Sequence, residues 1–210
     1  MINLVDNVNS TNSWLSQFNL NYYDSIISLK QSEGRGRQGR TWDSEKGGFY
    51  YSIILPNKNL LPIIVGVSVA EILFKKEVSI KLKWPNDILV DGKKLGGILC
   101  QSHGEKVTVG LGINVSNKPN LESSINLSTL GINIDYLHFA HKLNDKIRNV
   151  MDLSDEEIVQ HFLIYDCLIG KQVCWNGSEG IAVKVSEDGR LVVRNYMDEL
   201  IFLTDEVHLK

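Results

Sequence analysis

Between Gly34 and Arg40 the chain runs Gly34-Arg35-Gly36-Arg37-Gln38-Gly39-Arg40, alternating arginine with glycine, and Trp42 follows closely. Glycine lets backbone amides come close to an anion, and arginine offers a planar, permanently charged fork matched to phosphate or carboxylate. The run therefore reads as a flexible anion clamp; the alternative is a solvated basic turn. Nucleic acid is a poorer fit. Tight duplex binding usually takes about six to ten phosphate contacts, and this loop offers three arginines in a protein of net charge -3.

Three other clusters hold groups of the same kind. Lys83-Trp84-Pro85-Asn86-Asp87 stands where a strand ends and a hairpin begins, so lysine, asparagine and aspartate emerge together, suited to phosphate, a nucleobase edge, and a nucleophile or metal. In Lys93-Lys94-Leu95-Gly96-Gly97 a lysine leads into a strand whose glycines would let a ligand lie against the backbone. Gly110-Leu111-Gly112-Ile113-Asn114 again ends glycine-rich strand residues on one polar side chain. Asp87 reads equally well as a turn residue. Trp84 reads as core, whereas Trp42, just after the polar loop, does not.

These clusters need elements to hold them. Ser10 and Thr11 ahead of Trp14, Leu15 and Phe18 predict a capped helix from about Thr11 to Phe18, and a helix start also attracts polar ligand groups. Strands are expected over Tyr22–Lys30 and Phe49–Leu55, with Gln31–Lys46 as a long loop between them, a length that is uncommon unless functional or mobile. Leu60–Lys76 is apolar around most of its circumference and predicts a core helix. Ile80–Trp84, Ile88–Val90, Leu95–Gln101 and Val107–Val115 predict an antiparallel meander, turned at Asp91-Gly92 and again at His103–Lys106. Asp135–Met151 and Asp155–Ile169 have helical periodicity, with Ser154 and Glu157 forming a capping box. Beyond Gly170 the texture becomes short β runs, Gln172–Trp175, Ile181–Val185, Leu191–Tyr196 and Glu199–Leu203, separated by Asn176-Gly177 and Asp188-Gly189 turns. That predicts a main unit over 1–169 and a small β unit over 170–210, the latter marginal alone and docked on the former.

Composition limits the function classes. At 210 residues with 43% hydrophobic content, one catalytic-sized core plus a small module is the expectation. A net charge of -3 gives no global attraction to nucleic acid or to anionic membranes. The most apolar stretch, Leu60–Phe74, is interrupted by Pro62, Gly66 and Glu71, so no membrane span is expected. Met1–Asn9 lacks a secretory pattern, which makes cytoplasmic the expectation. Cys100, Cys167 and Cys174 have neither disulfide nor zinc spacing, and His138 and His141 lack further ligands nearby.

Taken in order, Ser10-Thr11-Asn12, Gln31 with the arginine run and Trp42, the KWPND of Lys83–Asp87, the KKLGGIL of Lys93–Leu99 and the GLGINV of Gly110–Val115 resemble the biotin protein ligase family, over about half the chain. The resemblance implies an α+β fold: a mixed, largely antiparallel sheet of class II synthetase type with helices on one side, and a small C-terminal SH3-like β barrel. It implies ATP-dependent formation of biotinyl adenylate and transfer of biotin to a lysine of a biotin carboxyl carrier protein, with biotin and ATP as substrates and Mg2+ held mainly by phosphates. Ser10, Thr11, Asn12, Gln31, Arg35, Gly36, Arg37, Lys94 and Gly97 would bind biotin. Arg37, Arg40, Trp42, Lys83, Asn86 and Asn114 would border the nucleotide. Arg37, Lys94, Lys83 and Asp87 would carry the chemistry, Asp87 as candidate base for a carrier lysine whose unperturbed pKa is about 10.4.

Because Ser10-Thr11-Asn12 stands almost at the start, the helix-turn-helix of repressor-type members is not expected, nor is DNA binding. Monomer and homodimer stay open. The rivals are a lipoate ligase of the same fold, against which the arginine run and KWPND argue, and a non-catalytic biotin sensor, which would not need this many cations.

Overall fold

The structure is a computed structural model that describes residues 1–74, 78–119 and 121–209. Its main sheet has the order β1-β2-β3-β7-β6-β5-β4, with β1 at Ile2–Val5, β2 at Ser25–Ser28, β3 at Gly48–Pro56, β4 at Ile80–Lys83, β5 at Asp87–Val90, β6 at Lys93–His103 and β7 at Lys106–Asn114. Every ladder in it is antiparallel except β1 with β2. The expected meander is β4 to β7. Its first tight turn is Asp91-Gly92, with φ of 49° and 73°, the doubly left-handed pair that lets a short loop follow the strand twist.

Alternation along β3 sets the two faces of the sheet. Tyr51 and Ile53 join the main core under α2 (Leu61–Phe74) and α3 (Tyr136–Met151), and the Tyr51 hydroxyl donates to Asn144 of α3. Ser52 and Ile54 face the other way, toward α1 (Thr11–Leu15), whose Leu15 packs with Ile26 and Ile54. Helices therefore cover one side, as expected, with α1 the exception. α4 (Asp155–Tyr165) starts on the Ser154/Glu157 capping box and contacts α2 and β4.

Several boundaries differ from the sequence reading. α1 stops at Leu15, three positions before Phe18. β2 begins only at Ser25, because Tyr23 takes a left-handed φ of 70° that no strand continues through. α2 is described to Phe74, and the expected continuation over Lys75 and Lys76 lies outside the described residues. α4 ends where the Asp166 carboxylate accepts from the amides of Leu168 and Ile169, a local turn that competes with further helix. β1, which pairs in parallel with β2, was not foreseen.

The second sheet has the order β11-β10-β9-β8-β12, with β8 at Gln172–Trp175, β9 at Ser178–Val185, β10 at Leu191–Arg194, β11 at Leu200–Leu203 and β12 at His208–Leu209. Its edge strands β11 and β12 are consecutive in sequence and joined by residues 204–207 alone. So short a link between opposite edges requires the sheet to curl toward a barrel. Trp84 joins the two sheets: its ring is 2% exposed and its indole N–H donates to the Gly189 carbonyl at 2.9 Å. The core reading of Trp84 holds.

Candidate active site

The floor of the site is bare backbone. Gly97 of β6 and Gly112 of β7 are direct partners in the ladder, on the face away from α2 and α3. The Trp42 indole lies on both: a Cβ at Gly112 would come within 2.5 Å of its Nε1, and one at Gly97 within 3.3 Å of its Cζ3. Trp42 Nε1 is buried without a hydrogen-bond partner, leaving a donor available at the floor.

One wall is the start of α1. Ser10 caps the helix, and Ser10, Thr11 and Asn12 are all buried. Gln31 Oε1 accepts from the Thr11 amide at 2.8 Å, and the Thr11 hydroxyl lies 3.0 Å from the same oxygen. Gln31 Nε2 donates to Ser44 Oγ, which donates to the Trp42 carbonyl. Beneath, Ser52 Oγ is 2.7 Å from Thr11 Oγ1 and 2.6 Å from Asn12 Oδ1. Asn12 Nδ2 donates to the Leu99 carbonyl and to Gln101 Oε1. Its side chain occupies the space that a Cβ at Gly110 would take.

Opposite stands Lys94, whose Nζ pairs with Asp87 Oδ1 at 2.6 Å and sits 5.5 Å from the Trp42 ring centre. A bulge between β5 and β6 makes this possible. Asp87 pairs with Gly97 and Leu89 with Lys94, leaving Leu95 as the extra residue. Lys94 and Gly97 are three apart and would otherwise point to opposite faces; the bulge puts both beside Asp87 and turns Leu95 into the core.

Asn86 and Asn114 act on the backbone of β6. Asn86 Nδ2 donates to the Ile98 carbonyl at 2.9 Å, and Asn114 Nδ2 to the carbonyls of Ile125 and Lys94 while its Oδ1 accepts from Asn117. Lys83 closes the β4–β5 hairpin opposite Asp87 and is half-buried.

The arginine run is a folded-back loop. Arg35 bridges to Thr41, the Gly36 amide donates to the Arg40 carbonyl, and Arg37–Gly39 forms a single 3-10 turn with Gln38 in the left-handed region. Its guanidinium groups find carboxylates: Arg35 pairs with Glu33 at 3.8 Å, Arg37 with Asp205 at 3.6 Å and Arg40 with Glu206 at 2.6 Å. The last contact, chiefly its hydrogen bond, holds the Glu206 carboxyl below its ordinary range. Asp205 and Glu206 belong to the link between β11 and β12, so the small sheet reaches back to the loop.

Sequence reasoning placed the motif residues on these walls but missed Ser44, Ser52, Gln101, Asp205 and Glu206. Ser52 carried a legible signal, a lone small polar residue in an otherwise apolar strand. The acidic pair carried none, since its partners lie more than 160 positions away. Burial raises the Cys167 thiol and pushes Cys100 up to about 12. Among the described residues no cluster of three or more histidine, cysteine or acidic side chains could hold a metal.

Comparison with known proteins adds to this geometry. Residues 4–116 match the model of the Biotin/lipoate A/B protein ligase family. The chain is 31% identical over 176 residues to the bifunctional ligase/repressor BirA of Escherichia coli, covering 74% of this chain and 55% of that protein. It is 32% identical over 108 residues to the biotin acetyl-CoA-carboxylase ligase of Paracoccus denitrificans, covering 45% of each. It thus spans about half the length of the curated relatives it matches. Among solved structures, the biotin protein ligase from Aquifex aeolicus in complex with biotin and ATP superposes on 100% of this chain and 98% of its own, at a TM-score of 0.85 and 28% identity.

Proposed function

The chain belongs to the biotin/lipoate A/B protein ligase family, and from that premise we propose that it activates biotin with ATP and transfers the biotinyl group to a lysine of a biotin carboxyl carrier protein. The observation that carries the reading is the convergence on the Gly97–Gly112 floor of a polar wall, a lysine on the opposite side and an arginine loop above.

In the first step a biotin carboxylate oxygen attacks the α-phosphorus of ATP, forming a mixed anhydride as pyrophosphate leaves. Two anionic groups must meet, so fixed cations stabilise the approach and the charge that builds on phosphorus. Lys94 would serve the carboxylate, and Arg37 and Arg40 the phosphates once they exchange Asp205 and Glu206 for the nucleotide. Lys83 borders the same end. Ser10, Thr11, Asn12, Gln31 and the backbone of Arg35 and Gly36 would take the biotin head, with its chain lying across Gly97. Trp42 would wall off the adenylate. Asn86 and Asn114 would act near the nucleotide by holding the strand that carries Lys94.

In the second step the carrier amine attacks the acyl carbon, AMP leaves, and the amine loses a proton. Asp87 is our candidate acceptor for that proton, through the oxygen that does not hold Lys94. Mg2+ bound to the triphosphate would supply charge neutralisation, and among the described residues no group of three or more histidine, cysteine or acidic side chains is placed to hold it.

We further read residues 1–169 as the catalytic unit and 170–210 as the appended one, in a cytoplasmic monomer or homodimer. With 22 basic against 25 acidic residues there is no surplus charge for a duplex, and we do not assign DNA as a partner. No helix among the described residues is long and apolar enough to cross a membrane. The deciding experiment is pyrophosphate release from ATP on adding biotin, lipoate or octanoate, followed by transfer to a carrier domain. Release with biotin alone, and biotin recovered on the carrier lysine, is the expected result; release with lipoate or octanoate but not biotin overturns the assignment.

A further inference from the structure

Ser52 is fully buried on β3, where its hydroxyl contacts Thr11 and Asn12, two residues proposed above for the biotin head. Three oxygen–oxygen contacts form a line: Asn12 Oδ1 to Ser52 Oγ at 2.6 Å, Ser52 Oγ to Thr11 Oγ1 at 2.7 Å, and Thr11 Oγ1 to Gln31 Oε1 at 3.0 Å. Only the hydroxyls of Ser52 and Thr11 bring protons to this line, because both ends are amide oxygens. The amides cannot be turned to help. Asn12 must aim its nitrogen at the Leu99 carbonyl, and Gln31 must aim its oxygen at the Thr11 amide N–H. Two protons must therefore serve three contacts, and one contact always lacks a hydrogen.

The location of that gap follows from burial. An unprotonated oxygen pair inside the sheet cannot recruit an outside donor and is costly, so Ser52 donates to Asn12 and Thr11 donates to Ser52. The gap falls between Thr11 and Gln31, and Gln31 is half-buried at the edge of the site. Two acceptor oxygens then lie 3.0 Å apart at the edge of the site with no proton between them. A ligand N–H is the group that completes them.

Building on the function proposed above, we propose that Ser52 is a positioning residue that fixes the Thr11 hydroxyl as an acceptor, so that Thr11 and Gln31 together select an acid whose head carries N–H donors, a cyclic urea, over one that carries none. Without Ser52 the Thr11 proton turns to Gln31 Oε1, the Thr11–Gln31 end of the line is satisfied with the site empty, and the advantage of an N–H ligand is lost.

The test is steady-state pyrophosphate release by the full chain with biotin, with biotin methylated on its ring nitrogens, and with lipoate. For Ser52→Ala we expect the biotin KM to rise about tenfold, the worth of one hydrogen bond, with kcat and the ATP KM unchanged. The same variant should show no change with the methylated ligand, and Ser52→Thr, which keeps the hydroxyl, should recover the wild-type KM. Adding Ser52→Ala to Thr11→Val should cost nothing more than Thr11→Val alone. A wild-type protein that uses biotin alongside a Ser52→Ala variant with unchanged biotin KM, or with equal losses on both biotin ligands, overturns this inference alone. A wild-type protein that releases pyrophosphate with lipoate but not biotin overturns the proposed function and this inference together. Should thermal unfolding show that Ser52→Ala does not fold, Thr11→Val replaces it: its loss of preference for biotin over the methylated ligand supports the inference, and an intact preference sinks it.

Discussion

Thr11 and Asn12 are 4% and 5% exposed, whereas the side chains of Arg37 and Arg40, which border the same floor, are 22% and 55% exposed. The first region is held by hydrogen bonds that run into the sheet and end on backbone carbonyls. The second is held by ion pairs to an acidic pair from another sheet. Buried hydrogen bonds resist rearrangement because a lost partner leaves a desolvated group, while exposed ion pairs cost little to break. On the function proposed above, recognition of the acid would fall to a wall fixed in advance, and capture of the nucleotide to a loop that would trade internal carboxylates for phosphates.

The largest expected effect lies at Lys94, which faces the buried wall from the opposite side of the floor. Lys94→Ala should slow biotin-dependent pyrophosphate release about 10²- to 10³-fold, the range for a preorganised charge at a developing anion. Calorimetry should also show weaker biotin binding, because the free carboxylate already needs a counter-charge. Unchanged release would remove Lys94 from the chemistry.

On the loop side, Arg37→Ala should uncouple the two steps rather than stop the first. The adenylate would leak into water and hydrolyse, so the ratio of biotinylated carrier to pyrophosphate should fall by about tenfold or more. A ratio held at the wild-type value would mean the loop does not guard the intermediate.

Smaller again is the ordering of the loop itself. Amide exchange across residues 31–46 should slow by about tenfold on adding biotin and ATP, while the amides of β3 stay as protected as before. Equal protection with and without ligands would erase the distinction between the two regions.

The smallest effect is expected for Glu206→Gln, which removes the partner of Arg40. Stability should change by less than about 1 kcal/mol and less still at high salt, the usual worth of an exposed pair. The Glu206 carboxyl is held below its ordinary value of 4.5, so the stability it contributes is present above that value and is lost as pH falls through its lowered one. Urea unfolding of both proteins across that window should converge at the acid end.

Much of this was legible in the chain. The β4–β7 meander followed from alternation and from Asp91-Gly92, and α4 from its capping box. Lys94, Asp87, Trp42, Thr11 and Gln31 all belong to motifs legible in the sequence and lie around one floor. β1 is not legible because three half-buried residues and the exposed Leu4 carry little pattern. Asn86 and Asn114 were read as polar groups facing a ligand, and the structure shows their amides engaged on the backbone around β6, since an asparagine at a strand end can serve either purpose.

What the sequence determined by itself is the inventory: glycines where the floor must be bare, cations for anions, a capped helix start and the periodicities that build the sheet. These are local properties, set by residue type and by spacing over a few positions. Tertiary structure alone decided how they meet. The bulge at Leu95 turned Lys94 onto the face of Gly97, the register of β6 with β7 set Gly97 against Gly112, and the curl of the second sheet carried Asp205 and Glu206 back to the arginines. Register and long-range pairing depend on the whole sheet minimising buried, unpaired groups at once, and no window of sequence contains that sum.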